Sequence, residues 1–264
     1  MRVIRVGTSN DYAGPMPEAQ RAWKIAEQIL AEHAGEPVET ILKRAWPSAA
    51  LPPLVERWMD EYQPDMVVLQ VNWFWYGYES TPLWFERRFG KTGARLSSAG
   101  LKVGNTPWFA DNRWTRLGTR ALARAVPGAT HFTVPEVAVA MEAAMRKVLA
   151  HEGVVLLVRG SDDWVRLPMA SKRRNRRDAT RTAEMARALR TICDRLNVPY
   201  RQRAKLTVED LKTEVNAAQW HNTPAGERLA GEFDGAAMVE AWQAAYPPDL
   251  AGRPSVGSNR QPSA

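Results

Sequence analysis

One cysteine in 264 residues gives the chain no means of closing an internal disulfide or building a cysteine metal cluster. That residue, Cys193, falls at helical spacing in RALRTICDRLNV and reads as a buried core thiol. No apolar run approaches the roughly 18 residues that a membrane span requires. The opening MRVIRVGTSN lacks the long apolar stretch of a signal peptide, so a cytoplasmic location is the default expectation. Histidine is scarce as well: there are four, which keeps the search for a general base short. Between Gly35 and Gly77 there is no glycine at all, so any loop in that interval must work without one.

With 45% hydrophobic and 25% charged residues, the composition is that of a globular protein. The length suits a single domain over 1–246, with a Pro-, Gly- and Ser-rich tail expected to be flexible over 247–264. A net charge of +7 raises the question of nucleic acid, and SKRRNRRDATR at 171–181 is its sharpest support. That run leads into an Arg-rich amphipathic helix and reads as a solvated face, so nucleic acid is not the expected partner.

Short apolar runs bounded by turn residues predict strands at 3–7, 38–42, 66–71 and 154–158, and a weaker one at 200–206. Helical patterns fall between them. PEAQRAWKIAEQILAEHAG carries Pro17 near its start and Gly35 at its end. LPPLVERWMDEYQP, VPEVAVAMEAAMRKVLAHEG, RRDATRTAEMARALRTICDRLNV and TPAGERLAGEF supply the others. This alternation predicts an α/β fold: a three-layer α/β/α sandwich on a mostly parallel, flavodoxin-like sheet. Residues 76–133 show no strand but are rich in aromatic residues, and they are expected to form an insertion or cap after the third strand. Ligands of such sheets bind beyond the carboxyl ends of the strands.

Gly7, Ser9 and Asn10 occupy that position after the first strand. A hydroxyl there stands beside a helix N-terminus, where free N–H groups favour a developing negative charge; Thr8, Ser9 or Asn10 could equally cap the helix. Among the histidines, His33 and His151 lie near helix C-termini and His131 follows a turn-like PGAT. Only His221, in QWHNTPAGERLAGEF, occupies a loop-to-helix junction late in the chain.

Together these stretches resemble the SGNH/GDSL hydrolases, a family of serine esterases and acyl hydrolases. VIRVGTSND resembles the family's first block, which makes Ser9 the nucleophile, with Thr8 in place of the usual aspartate. PDMVVLQVNWFWYGY resembles the third block, whose asparagine donates to the oxyanion. A gapless match puts Asn72 at the family's glycine and Phe74 at its asparagine, and Asn72, two residues away on an extended segment, points the same way. WHNTPAGERLA resembles the fifth block, which makes His221 the general base. The second block's glycine is missing, and the N–H of Ala45 or Trp46 in KRAWPSA takes its place as an expected oxyanion donor beside Ser9 and Asn72. Where the family has an aspartate three residues before the histidine, this chain has Ala218, leaving Glu214, Asn216 and Gln219 as possible partners of the imidazole. The resemblance therefore implies a carboxylic ester hydrolase working as a Ser9–His221 dyad on a small-molecule ester, acyl, aryl or acetyl, with no metal or organic cofactor. The alternative is a catalytically impaired relative that binds a ligand or partner.

Overall fold

The computed structural model describes residues 1–7, 11–12, 16–104, 128–161, 172–203, 214–216 and 221–247, and among these the side chains of 93–104, 172, 215–216 and 221 are not described. Five strands, β1 (Arg2–Val6), β2 (Glu39–Lys43), β3 (Met66–Gln70), β4 (Val155–Arg159) and β5 (Tyr200–Arg201), form a parallel sheet in the order β2-β1-β3-β4-β5. Helices α1 (Ala22–Ala34) and α2 (Leu51–Tyr62) follow β1 and β2. After β3 come the short α3 (Trp73–Tyr76), the helical segment α4 (Thr81–Gly104) and α5 (Val134–Leu149), which leads to β4. The last two helices are α6 (Lys172–Leu196), before β5, and α7 (Pro224–Ala245). A two-stranded antiparallel ribbon of β6 (Val215–Asn216) and β7 (His221–Asn222) precedes α7.

The strands are apolar on both faces because helices cover both. On one face Val3, Met66, Val68, Val155 and Leu157 pack against Ala26 and Leu30 of α1 and Ala237, Met238 and Ala241 of α7. On the other, Ile4, Val6, Val67, Leu69, Leu156 and Val158 meet α2, α5 and α6 through Val55, Trp58, Met141, Met145, Leu189 and Ile192. This is the expected three-layer sandwich with the expected flavodoxin-like strand order. Cys193 is fully buried in the second of these clusters, and burial pushes its thiol up to about 12.

Several local expectations shift. Helix α1 begins at Ala22: Pro17 instead precedes a 3₁₀ turn over Glu18–Gln20, and Arg21 is extended. β5 ends at Arg201, and 204–206 lie outside the described residues. Within 76–133, where the pattern assigns no element, α4 runs to Gly104 with a break at Gly90, whose φ of 58° no other residue type adopts readily. An antiparallel bridge between Ser80 and Ala129 ties the two ends of this excursion together. The tail, from residue 248 on, lies outside the described residues.

The arginine run has a structural use. Arg177 binds Glu79 with two hydrogen bonds of 2.8 and 2.7 Å, Arg181 adds one of 3.0 Å, and Arg174 stands 3.4 Å away. Burial would raise the Glu79 carboxyl, but these guanidinium groups outweigh it and hold it below the usual range. They fasten α6 to the segment between α3 and α4. Nearby, Trp73 donates its indole N–H to Asp178.

α1 and α7 approach closely because α7 presents glycine to its partner. A Cβ on Gly231 would stand 2.7 Å from Ile25 Cβ and 2.8 Å from the Ala22 carbonyl oxygen, closer than packed atoms allow. Because that carbonyl belongs to a helix backbone, it yields less readily than a side-chain tip. Gly231→Val is therefore expected to cost about 1–3 kcal/mol, read as a lower urea midpoint with an unchanged slope.

Candidate active site

With β1 between β2 and β3, the chain leaves β1 for the α1 face and leaves β3 for the opposite face. The crevice of such a sheet opens at that divergence, beyond the carboxyl ends of β1 and β3. Gly7 ends β1 there, and its N–H bonds the Lys43 carbonyl of β2 at 2.9 Å. Ser9, in 8–10, lies outside the described residues. Both of its flanks are described. On the far side Asp11 is buried, and its carboxylate accepts from Arg5 Nε at 3.2 Å. A Cβ on Gly7 would collide with the Asp11 carboxylate, so the glycine is what allows Asp11 to come this close.

Asp11 belongs to a buried charge layer. Arg5, Gln70 and Arg159 come from neighbouring strands and face α1 and α7, in register with the apolar residues below them. Arg5 Nη2 donates to Gln70 Oε1 and to Asp234 Oδ2 of α7, each at 2.8 Å. Arg159 Nε donates to Asp234 Oδ1 at 2.7 Å, and its guanidinium stands 4.6 Å above the Phe233 ring. Burial alone would raise the Asp234 carboxyl, but the two arginines outweigh it and hold it below the usual range. Arg5 responds in the opposite sense: burial opposes its charge, while Asp11 and Asp234 more than compensate. One hint of this layer is visible along the chain, an arginine inside each of two apolar strands, VIRV and VLLVR.

His221 lies on β7 rather than in an open loop. Pairing sets Asn216 opposite His221 and Val215 opposite Asn222. Thr223 then caps α7 by accepting from Gly226 N, with Pro224 in the first turn, and its own N–H bonds the Glu214 carbonyl at 2.7 Å. Of the partners considered for His221, Glu214, the one carboxylate among them, is buried and bonded to Arg203. Ala218 and Gln219 lie outside the described residues.

Glu227, which the sequence did not single out, links the two halves of the site. One of its oxygens accepts the Ala22 N–H at 2.6 Å, capping α1, which has no side-chain cap of its own. The other accepts from Asn222, the residue after His221, at 3.3 Å. Burial raises the Glu227 carboxyl, the Ala22 N–H opposes that, and the nearby charge of Asp11 adds to the rise. Glu227 thus joins the start of α1, the helix after β1, to the residue next to His221.

The other two predicted residues stand at the ends of β2 and β3. Ala45 is half-buried against the core, and Trp46 beside it is 49% exposed. Asn72 caps α3, its Oδ1 accepting from Phe74 N at 2.9 Å. That bond fixes the amide by its carbonyl oxygen and leaves the NH₂ as the donating end. Among the described residues no cluster of three or more His, Cys, Asp or Glu could hold a metal ion, and no helix is long and apolar enough to cross a membrane.

No protein-family model and no curated protein matches the sequence. Solved structures do. The psychrotrophic esterase EstA from Pseudoalteromonas sp. superposes with a TM-score of 0.52 at 10% identity, over 92% of this chain and 98% of that one. TesA superposes with a TM-score of 0.52 at 11% identity, over 91% and 99%. At such identities the likeness is one of fold, and the fold is that of the SGNH/GDSL-type esterases.

The charge layer also sets an acid limit. Because the Asp234 carboxyl titrates below its unfolded value of about 3.9, its contribution is present above that pH and is lost as pH falls through the folded value. Asp234→Asn would leave Arg5 and Arg159 short of an anion and is expected to cost about 3–5 kcal/mol at neutral pH. Urea unfolding across pH 7 to 2 should show that penalty shrinking in acid; equal stability of both proteins at pH 7 would contradict it.

Proposed function

We propose that the chain is a serine ester hydrolase of the SGNH kind, with Ser9 as nucleophile and His221 as general base. What supports the reading is Arg5, whose guanidinium meets both Asp11, two residues after Ser9, and Asp234 of α7, the helix that follows His221. The fold likeness agrees with it.

In this reading His221 takes the proton of the Ser9 hydroxyl as the oxygen attacks the ester carbonyl. The carbonyl oxygen gains negative charge and is met by the Ser9 N–H, the Ala45 N–H and the Asn72 amide, preorganised donors at about 3 Å. The tetrahedral intermediate collapses, His221 returns the proton to the leaving alcohol, and an acyl group stays on Ser9. Water, deprotonated by His221, then attacks that acyl group and releases the acid. A carboxylate normally holds the imidazole tautomer, and its replacement costs a serine protease about 10⁴ in rate. With Ala218 in its place, turnover is expected to be slow. The substrate is a small carboxylic ester, and the mechanism requires no metal or organic cofactor.

A fluorophosphonate probe should label Ser9, as mapped by peptide mass spectrometry. Ser9→Ala should abolish turnover of 4-nitrophenyl acetate, and His221→Ala should lower kcat by about 10³ or more with little change in KM. Absence of both turnover and labelling would discard the enzyme and leave the ligand-binding relative; labelling of a different serine would move the nucleophile.

A further inference from the structure

Two large aromatic side chains stand open to solvent beside the residues proposed to hold the oxyanion. Trp46, next to Ala45, is 49% exposed, and Phe74, two residues past Asn72, is 38% exposed. A third segment completes the group, since His131 lies 5.0 Å from the Trp46 ring and 4.9 Å from Phe74, centroid to centroid. Tyr78 stacks on Phe74 at 5.0 Å and 17°. The sequence brought none of these together, because 46, 74 and 131 belong to three segments far apart along the chain.

The group is held from behind. Phe132 packs on the core, contacts Trp46 at 5.9 Å and donates its N–H to the Trp75 carbonyl. Arg87 bonds the His131 carbonyl at 2.7 Å. Burial, with help from the Arg87 charge, holds the His131 imidazole below the usual histidine range, so near neutral pH it is an uncharged ring.

The rings are inclined rather than coplanar: Trp46 makes 55° with Phe74 and 53° with His131, and Phe74 makes 35° with His131. Inclined walls form a shallow cradle. A sugar ring lies flat on one open aromatic face, which tilted neighbours would crowd. A long acyl chain gains most from an enclosed channel, and these rings are half open. A flat aromatic ring, by contrast, meets inclined rings edge to face, the arrangement that their quadrupoles favour.

We infer that Trp46, Phe74, Tyr78 and His131 form a subsite for the aryl group of an aryl ester, whose carbonyl would then stand between Ala45 and Asn72. Placing the carbonyl rests on the hydrolase reading, whereas ring binding does not. Two readouts therefore separate the two claims. The first is binding of acetanilide, an amide that mimics phenyl acetate and resists cleavage, to the Ser9→Ala protein by saturation-transfer NMR. Signal is expected with acetanilide, weak signal with N-ethylacetamide, and loss of the acetanilide signal in Ser9→Ala/Trp46→Ala. The second is specificity: the ratio of kcat/KM for phenyl acetate over ethyl acetate should fall about tenfold in Trp46→Ala and in Phe74→Ala, the effect of losing one aromatic contact. A Trp46-dependent acetanilide signal with no hydrolysis of any ester would retain the cradle and reject the enzyme. Hydrolysis with an unchanged ratio and no Trp46-dependent binding would reject the cradle and retain the enzyme. Glucose pentaacetate displacing acetanilide and outpacing phenyl acetate would overturn the aryl assignment in favour of a sugar.

Discussion

The guanidinium of Arg5 is the constraint on which the site depends. Moving such an ion from water to a dry interior is among the largest single costs in a fold, so it must meet anions with defined geometry. It meets Asp11 on one side and Asp234 on the other, with Gln70 between. An apolar residue could fill the space but would fix no angle. The ion pairs bind three things whose relative placement matters: strand β1, the chain just past the 8–10 turn, and helix α7. Arg159 on β4 shares Asp234 and extends the constraint across the sheet.

Much of the fold was legible because it is local. The short apolar runs at 66–71 and 154–158, bounded by turn residues, read as strands buried on both faces, and Gly35 marks the end of α1 by local geometry alone. The errors lie where a distant residue decides. Proline at position 17 suits a helix start, yet α1 starts five residues later, where Glu227, 205 residues away, caps Ala22. Arg5 stands in an apolar strand with no partner on its own strand, and its burial is explained only by α7, which brings Asp234 to it. The segment 76–133 gave no clear period because α4 is interrupted at Gly90.

Charge told less than its sum suggested. A net charge of +7 looks like a surface property, but Arg5 and Arg159 are buried and three arginines of the 171–181 run turn inward to one carboxylate. Histidine setting misled in a similar way. His131 looked unremarkable after PGAT, yet its ring joins Trp46 and Phe74 from segments that sequence distance keeps apart. Asn72 was readable as a strand-end residue and also as a donor, and its cap on Phe74 is compatible with both, since only the carbonyl oxygen is spent.

In the proposed dyad, the loss of the usual carboxylate moves the task of orienting the imidazole onto the backbone. The β6–β7 pairing, the Thr223 cap and the Asn222–Glu227 bond fix the main chain around His221. A fixed main chain at the base, and Asp11 held by Arg5 two residues after the nucleophile, reduce the entropy that must be surrendered to reach the reactive geometry. They do not stabilise the imidazolium, which only a neighbouring negative charge or dipole can do. Such a site would lose mainly in kcat, since the same donors and the same rim still receive the substrate.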